Sequence, residues 1–208
     1  MKMEFIKPMD IEARSMEIIE ENLKGVEMPE KQRLVLKRVI HTTADFDYVE
    51  NLKFSDGAVE TALDALNQGA HIVTDTNMAY SGIHKSSLHK LGGEAHCFMS
   101  DPDVAAKAKE LGVTRATVSM DKACELGDNV IFAIGNAPTA LIRLDELIRS
   151  GKIAPKLIIG VPVGFVNVVE SKELIMQGSI PYIVARGRKG GSNVAAAICN
   201  ALLYQLYR

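Results

Sequence analysis

The chain has 208 residues, 47% of them hydrophobic, and a formal net charge of -2 at pH 7. That length supplies one sizeable core, so a single domain over 1–208 is expected. A pI of about 6.2, scattered Lys and Arg, no Trp and only 5% aromatic residues exclude a nucleic-acid partner, which needs a basic face and stacking platforms.

The first ten residues mix Lys2, Glu4 and Lys7 with apolar ones, without the apolar centre of a secretion signal. Apolar residues at Ile11, Met16, Ile18, Ile19 and Leu23, with Glu and Arg between them, predict an amphipathic helix over 11–23. Pro29 opens a second helix over 30–40, because proline is tolerated in a first turn, and His41-Thr42-Thr43-Ala44-Asp45 follows directly. A third helix over 55–68 has Asp56 near its start and Gly69 beyond its end. An alternating rhythm then begins, with strands over 71–75, 93–99, 129–134, 156–161 and 182–185. Between and after them lie helices over 81–91, 103–111, 117–126, 138–149, 168–177 and 192–207.

Short, nearly all-apolar strands alternating with helices point to a parallel sheet covered on both faces. The expected fold is α/β: a three-layer, doubly wound, mostly parallel sheet of about five strands with additional N-terminal helices. No stretch approaches the ~20 apolar residues of a membrane span, so no membrane partner is expected. Cys97, Cys124 and Cys199 are far apart and form no CxxC pair, and read as reduced, mostly buried thiols of a cytoplasmic protein.

In such folds ligands bind outside the carboxyl ends of the strands. Function is therefore expected in Asp75-Thr76-Asn77-Met78, Gly135-Asn136-Ala137-Pro138-Thr139, Val161-Pro162-Val163-Gly164-Phe165-Val166-Asn167 and Arg186-Gly187-Arg188-Lys189-Gly190-Gly191-Ser192. The last joins three cations to a helix start, where backbone N–H groups and the helix dipole attract anions. It reads either as a carboxylate or phosphate cradle or as an ordinary Gly-rich loop with Ser192 as N-cap; its position and its cations favour the cradle. It matches neither GxxxxGK[ST] nor GxGxxG, and the turn after 71–75 has no Gly-rich phosphate loop, which stands against a nucleotide-dependent enzyme. Gly135 admits close approach of a ligand to the backbone, Asn136 offers amide hydrogen bonds, and Val163, Phe165 and Val166 supply an apolar wall. Such a pocket suits a flat apolar ring with polar arms.

Arg115 reads as a two-pronged clamp on a carboxylate or as a surface salt-bridge partner. Of the five histidines, His41, beside Thr42, Thr43 and Asp45, is best suited to exchange a proton near neutral pH, with a hydroxyl or carboxylate to fix its tautomer. His71 begins a strand and reads as structural. His84 and His89 miss the i, i+4 spacing of a shared metal, and Asp45 and Asp47 have no partner cluster, so no metal ligand is assigned. Ser87, Ser100 and Ser192 do not lie in GxSxG, which weakens a serine-hydrolase reading.

Six blocks in order, over nearly the whole chain, resemble precorrin-8X methylmutase, including its cobalt-precorrin-8 form. They are Ile40-His41-Thr42-Thr43-Ala44-Asp45, Thr74-Asp75-Thr76-Asn77-Met78, Gly112-Val113-Thr114-Arg115-Ala116, Gly135-Asn136-Ala137-Pro138-Thr139-Ala140-Leu141, Gly160-Val161-Pro162-Val163-Gly164-Phe165-Val166-Asn167 and Gly187-Arg188-Lys189-Gly190-Gly191-Ser192. The resemblance implies an isomerase of cobalamin biosynthesis that moves a methyl group from C-11 to C-12 of a corrinoid ring, a 1,5-sigmatropic shift giving cobyrinate or hydrogenobyrinate. It implies His41 as the proton donor, a homodimer with its site near the subunit interface, a tetrapyrrole substrate and no cofactor. It also implies substrate contacts from Arg14, Ser15, Thr42, Thr43, Asn77, Met78, Tyr80, Arg115, Asn136, Ala137, Thr139, Val163, Gly164, Lys189, Gly190, Gly191 and Ser192. A non-catalytic corrinoid carrier is the rival reading, and turnover separates the two.

Overall fold

The computed structural model describes residues 7–207, without the side chain of Met9, so most of the segment read for a secretion signal lies outside the described residues. In chain order the elements are a 3-10 turn at Pro8–Asp10, α1 Ile11–Asn22, α2 Glu30–Thr43, α3 Tyr48–Asn51, β1 Leu52–Phe54, α4 Ala58–Asn67, β2 His71–Thr74, α5 Asn77–Gly82, α6 Lys85–Lys90 and β3 Ala95–His96. They continue with a 3-10 turn at Phe98–Ser100, α7 Pro102–Leu111, α8 Arg115–Ala123, a 3-10 turn at Cys124–Leu126, β4 Val130–Ile134, α9 Pro138–Arg149, β5 Leu157–Gly160, α10 Val168–Met176, β6 Tyr182–Ala185 and α11 Ser192–Leu206.

The strands form one sheet in the order β1-β6-β5-β4-β2-β3, parallel throughout except where β1 meets β6. The doubly wound α/β architecture is as expected, with one strand more. The three residues of β1 are too few to show a period, and their strand conformation comes from antiparallel pairing with Ala185, Val184 and Ile183. The helix expected over 81–91 is two short helices, α5 and α6, separated by extended backbone at Ile83. Helix α2 runs on to Thr43, where Ala44 adopts the left-handed conformation (φ 53°) and donates its N–H to the Ile40 carbonyl. His41 therefore lies in the last turn of α2 and not beyond it.

Side chains alternate between the two faces of the strands. Ile72, Ile131, Ala133, Ile159 and Ile183 pack with α2, α4 and α11, whereas Val73, Phe132, Ile134, Ile158 and Val184 pack with α8, α9 and α10. Helix α11 is buried nearly all round because it lies between the sheet and α2, and its sequence is correspondingly apolar. Cys199 on α11 is buried and its thiol is pushed up to about 12, while Cys97 and Cys124 are half-buried; all three are free. No helix among the described residues is long and apolar enough to cross a membrane.

The chain passes from β2 outward to β3, then returns to β4 and proceeds the other way through β5 to β6, so the switch point of the sheet lies between β2 and β4. Asp75 is fully buried at that point. Its Oδ1 accepts the Gly135 N–H at 2.8 Å, and its Oδ2 accepts those of Asn136 at 2.8 Å and Ala137 at 2.6 Å. Burial pushes the carboxyl above the ordinary carboxylate range, against the downward pull of the three N–H bonds. An Asn at this position replaces only one carboxylate oxygen and turns its own NH2 toward a backbone donor. Asp75→Asn is expected to cost about 1–3 kcal/mol, read as a lower urea midpoint at unchanged slope; an unaltered midpoint would remove Asp75 as the anchor of this loop.

Candidate active site

The loops at the carboxyl ends of the strands interlock through backbone as much as through side chains. Thr76 Oγ1 caps α5 by accepting the Ala79 N–H, and lies 2.8 Å from Ser192 Oγ, joining the β2 and β6 ends. Ser192 is the first residue of α11, with Gly191 before it as N-cap, so its hydroxyl serves this link and not a cap. Gly191 donates its N–H to the Val161 carbonyl at 2.9 Å, and Gly164 to that of Arg188 at 3.3 Å. Gly190 lies so close to β5 that an added Cβ would sit 2.1 Å from the Val161 oxygen, and one on Gly135 would sit 2.7 Å from Ser192 Cα.

The last loop is also held from beneath. Lys172 on α10 is fully buried and donates to the carbonyls of Gly187 and Lys189, each at 2.8 Å. Burial lowers its ammonium to about 8. The sequence carries a signal for it: Lys172 falls on the buried stripe Val168, Ser171, Ile175 of α10, where a cation must find internal acceptors. Asp75 likewise reads in the sequence as the end of a strand and the start of a strand-end loop, without a sign of the three N–H groups it accepts.

Lys189 brings the α2 end to these loops. Its ammonium lies 2.6 Å from Asp45 Oδ2 and 2.6 Å from Asp47 Oδ2, and it holds the Asp45 carboxyl below the ordinary range. The exposed Arg188 lies over the ring of Phe165, with its guanidinium carbon 5.7 Å from the centroid. Phe165, Val166 and Met78 are 82%, 79% and 70% exposed, an apolar rim larger than a solvated surface requires.

Around His41 the structure forms a cavity of about 260 Å³ lined by Ser15, Ile18, Ile19, Ile40, Ala44 and Phe46. The expected orienting hydroxyls are committed elsewhere: Thr42 donates to the Arg38 carbonyl and Thr43 to that of Val39, each at 2.9 Å. Ser15 likewise donates to the Ile11 carbonyl. Among the described residues neither ring nitrogen of His41 has a hydrogen-bond partner. Arg14 pairs with Glu17 on the outer side of α1.

The remaining predicted residues group at the switch point and beside it. Asn77 bonds Ser100, Met78 is exposed, and the half-buried Tyr80 has the Lys85 ammonium 4.2 Å from its ring centroid. Asn136 is exposed while the Ala137 N–H is held by Asp75. Thr139 lies 2.8 Å from Thr114, the N-cap of α8. Arg115 is exposed at the start of α8, beside Ala105, Lys109 and Gly112, and has no ion pair among the described residues. A larger groove of about 460 Å³ between α8 and α9 contains Asp121, Arg143 and Glu146, which neutralise one another in ion pairs and lie away from His41.

A family model for precorrin-8X methylmutase matches residues 10–205. A cobalt-precorrin-8 methylmutase of Salmonella typhimurium is 46% identical over 206 residues, covering 96% of this chain and 96% of the relative. One of Priestia megaterium is 43% identical over 197 residues, covering 95% of this chain and 88% of the relative. The solved precorrin-8X methyl mutase of Thermus thermophilus aligns with a TM-score of 0.86 at 38% identity, over 94% of this chain and 96% of that one. The chain belongs to the precorrin-8X methylmutase family, isomerases of cobalamin biosynthesis.

Proposed function

We propose that this protein moves the methyl group of precorrin-8, or of its cobalt complex, from C-11 to C-12, with His41 as the proton donor, and that it works as a homodimer. His41 itself carries the assignment: it is an imidazole with both nitrogens uncommitted among the described residues, facing a mostly apolar cavity, next to a segment tied by Lys189 to the strand-end loops. Protonating the conjugated macrocycle makes the acceptor carbon electron-poor and eases formation of the new C–C bond. Substrate and product are isomers, so the proton given to the ring is matched by one returned, and neither oxidant nor reductant is consumed. A positioned acid contributes ~10²–10⁴-fold; holding one orientation of the ring contributes further.

The carboxylate arms of the substrate call for cations and N–H donors at the rim. Arg115 and Arg188 present guanidinium groups without ion pairs among the described residues, and the first turn of α11 from Ser192 presents backbone N–H groups, whereas the Gly191 N–H is held by the Val161 carbonyl. Lys189 serves first as the tie between its loop and the His41 segment, because two carboxylates already hold its ammonium. Phe165, Val166, Val163 and Met78 offer an apolar wall to the ring and to a second subunit. A dimer supplies the cover that one chain leaves off these residues.

Three outcomes are expected. His41→Asn retains corrinoid binding and loses turnover by about 10²–10⁴-fold, followed in the visible spectrum on the cobalt-containing and metal-free substrates side by side; full activity would exclude His41 as the acid and leave the carrier reading standing. Arg115→Ala weakens substrate binding by about tenfold or more with kcat nearly unchanged, and an unaltered dissociation constant would count against a carboxylate contact. Sedimentation at micromolar protein gives about twice 22.6 kDa, and a clean monomer would sink the dimer.

A further inference from the structure

On the opposite face of the sheet from His41, at its outer edge, three potential ligands converge that the methyl transfer does not use. His71 opens β2, Glu94 immediately precedes the edge strand β3, and His96 ends it. One donor atom from each, two imidazole nitrogens and a carboxylate oxygen, lie within 4.8 Å of one another. The face follows from register: His71 shares a side of β2 with Val73, and His96 is the β3 partner of Val73, which packs toward α8 and α9. His41 belongs to the other helical layer.

The geometry is close to that of a bound ion. His96 Nε2 lies 3.1 Å from His71 Nδ1, and the ring centroids are 5.0 Å apart at 59°. Two imidazoles on one tetrahedral metal at 2.0–2.1 Å place their nitrogens about 3.3 Å and their centroids about 5.2 Å apart. The pair needs only a few tenths of an ångström of adjustment. Its backbone is fixed on both sides, because Ile72 donates its N–H to the Glu94 carbonyl and Thr74 its hydroxyl to that of His96. Phe98 stacks on the His96 ring at 5.7 Å and holds its plane.

We infer that His71, Glu94 and His96 bind a divalent transition-metal ion. Two nitrogens and one oxygen of intermediate hardness select the zinc, cobalt and nickel class over magnesium and calcium, and the exposed side of the site leaves a fourth position for water. The ion would clamp the two-residue edge strand to β2, so it acts on the stability of the sheet edge and is independent of the corrinoid reaction.

The test uses the tag-free, metal-stripped protein without corrinoid. Titration with Co²⁺ is expected to give one equivalent per chain with micromolar affinity and the visible bands of a four-coordinate ion, displaced by Zn²⁺ and unaffected by Mg²⁺. Zn²⁺ raises the melting temperature by about 5 °C at a hundredfold excess over its dissociation constant. His71→Gln and His96→Gln each weaken binding by tenfold or more. Glu94→Gln, at an exposed position with no packing to lose, does the same without altering the metal-free melting temperature. No stoichiometric binding by the parent protein would reduce the pair to a hydrogen bond between imidazoles; binding that survives in all three variants would place the ion elsewhere. Either result overturns the assignment.

Discussion

The arrangement of the strand-end loops depends on one buried carboxylate. Asp75 directly follows β2 at the place where the sheet reverses its order, and it gathers three successive N–H groups from the turn that follows β4. An unpaired carboxylate in such a place is costly, and so are three unpaired amides. Each satisfies the other only if the β4 turn sits directly against β2. That requirement sets the Gly135 backbone within reach of Ser192, and through Ser192 and Thr76 it sets the start of α11. A single buried carboxyl group thus aligns three strand ends.

A second set of contacts builds outward from this frame. Gly190 allows the β6 loop to lie on the Val161 carbonyl, Lys172 satisfies two carbonyls of the same loop from below, and Lys189 reaches across to Asp45 and Asp47. These are charge-assisted or close backbone contacts, which depend on distance and direction more than apolar packing does. They fix the segment that follows the His41 turn of α2, at Asp45 and Asp47, without touching His41. Among the described residues its ring has no hydrogen-bond partner, the condition expected of a group whose partner is a substrate.

Most of the sheet is legible in the sequence because β2, β4, β5 and β6 are largely buried on both faces and read as short apolar runs, whereas β3 is a half-buried pair, Ala95–His96. The His41 segment and the strand-end loops are legible as motifs, and the family resemblance drawn from them agrees with the family model. What stays hidden is set by pairing at a distance. β1 is three residues whose conformation comes from β6. The end of α2 is misread by three residues because Ala44, not a glycine, takes the left-handed cap. His71 reads as an isolated structural residue because its partner His96 lies on a neighbouring strand. Lys172 is visible as a cation on an apolar stripe, yet its acceptors are two loop carbonyls that no pattern reports.

Helix α11 lies between the sheet and α2, and its first residue closes the loop network at Thr76. The edge strand β1 finds its partner only in β6, and Asp45 finds Lys189 just beyond it. During synthesis the N-terminal helices and β1 therefore emerge long before the surfaces that complete them. The early chain carries the apolar stripe of α2 and an unpaired strand edge, both open to misassociation. Closure of the fold and assembly of the His41 neighbourhood are then a single late event, timed by the arrival of β6 and α11.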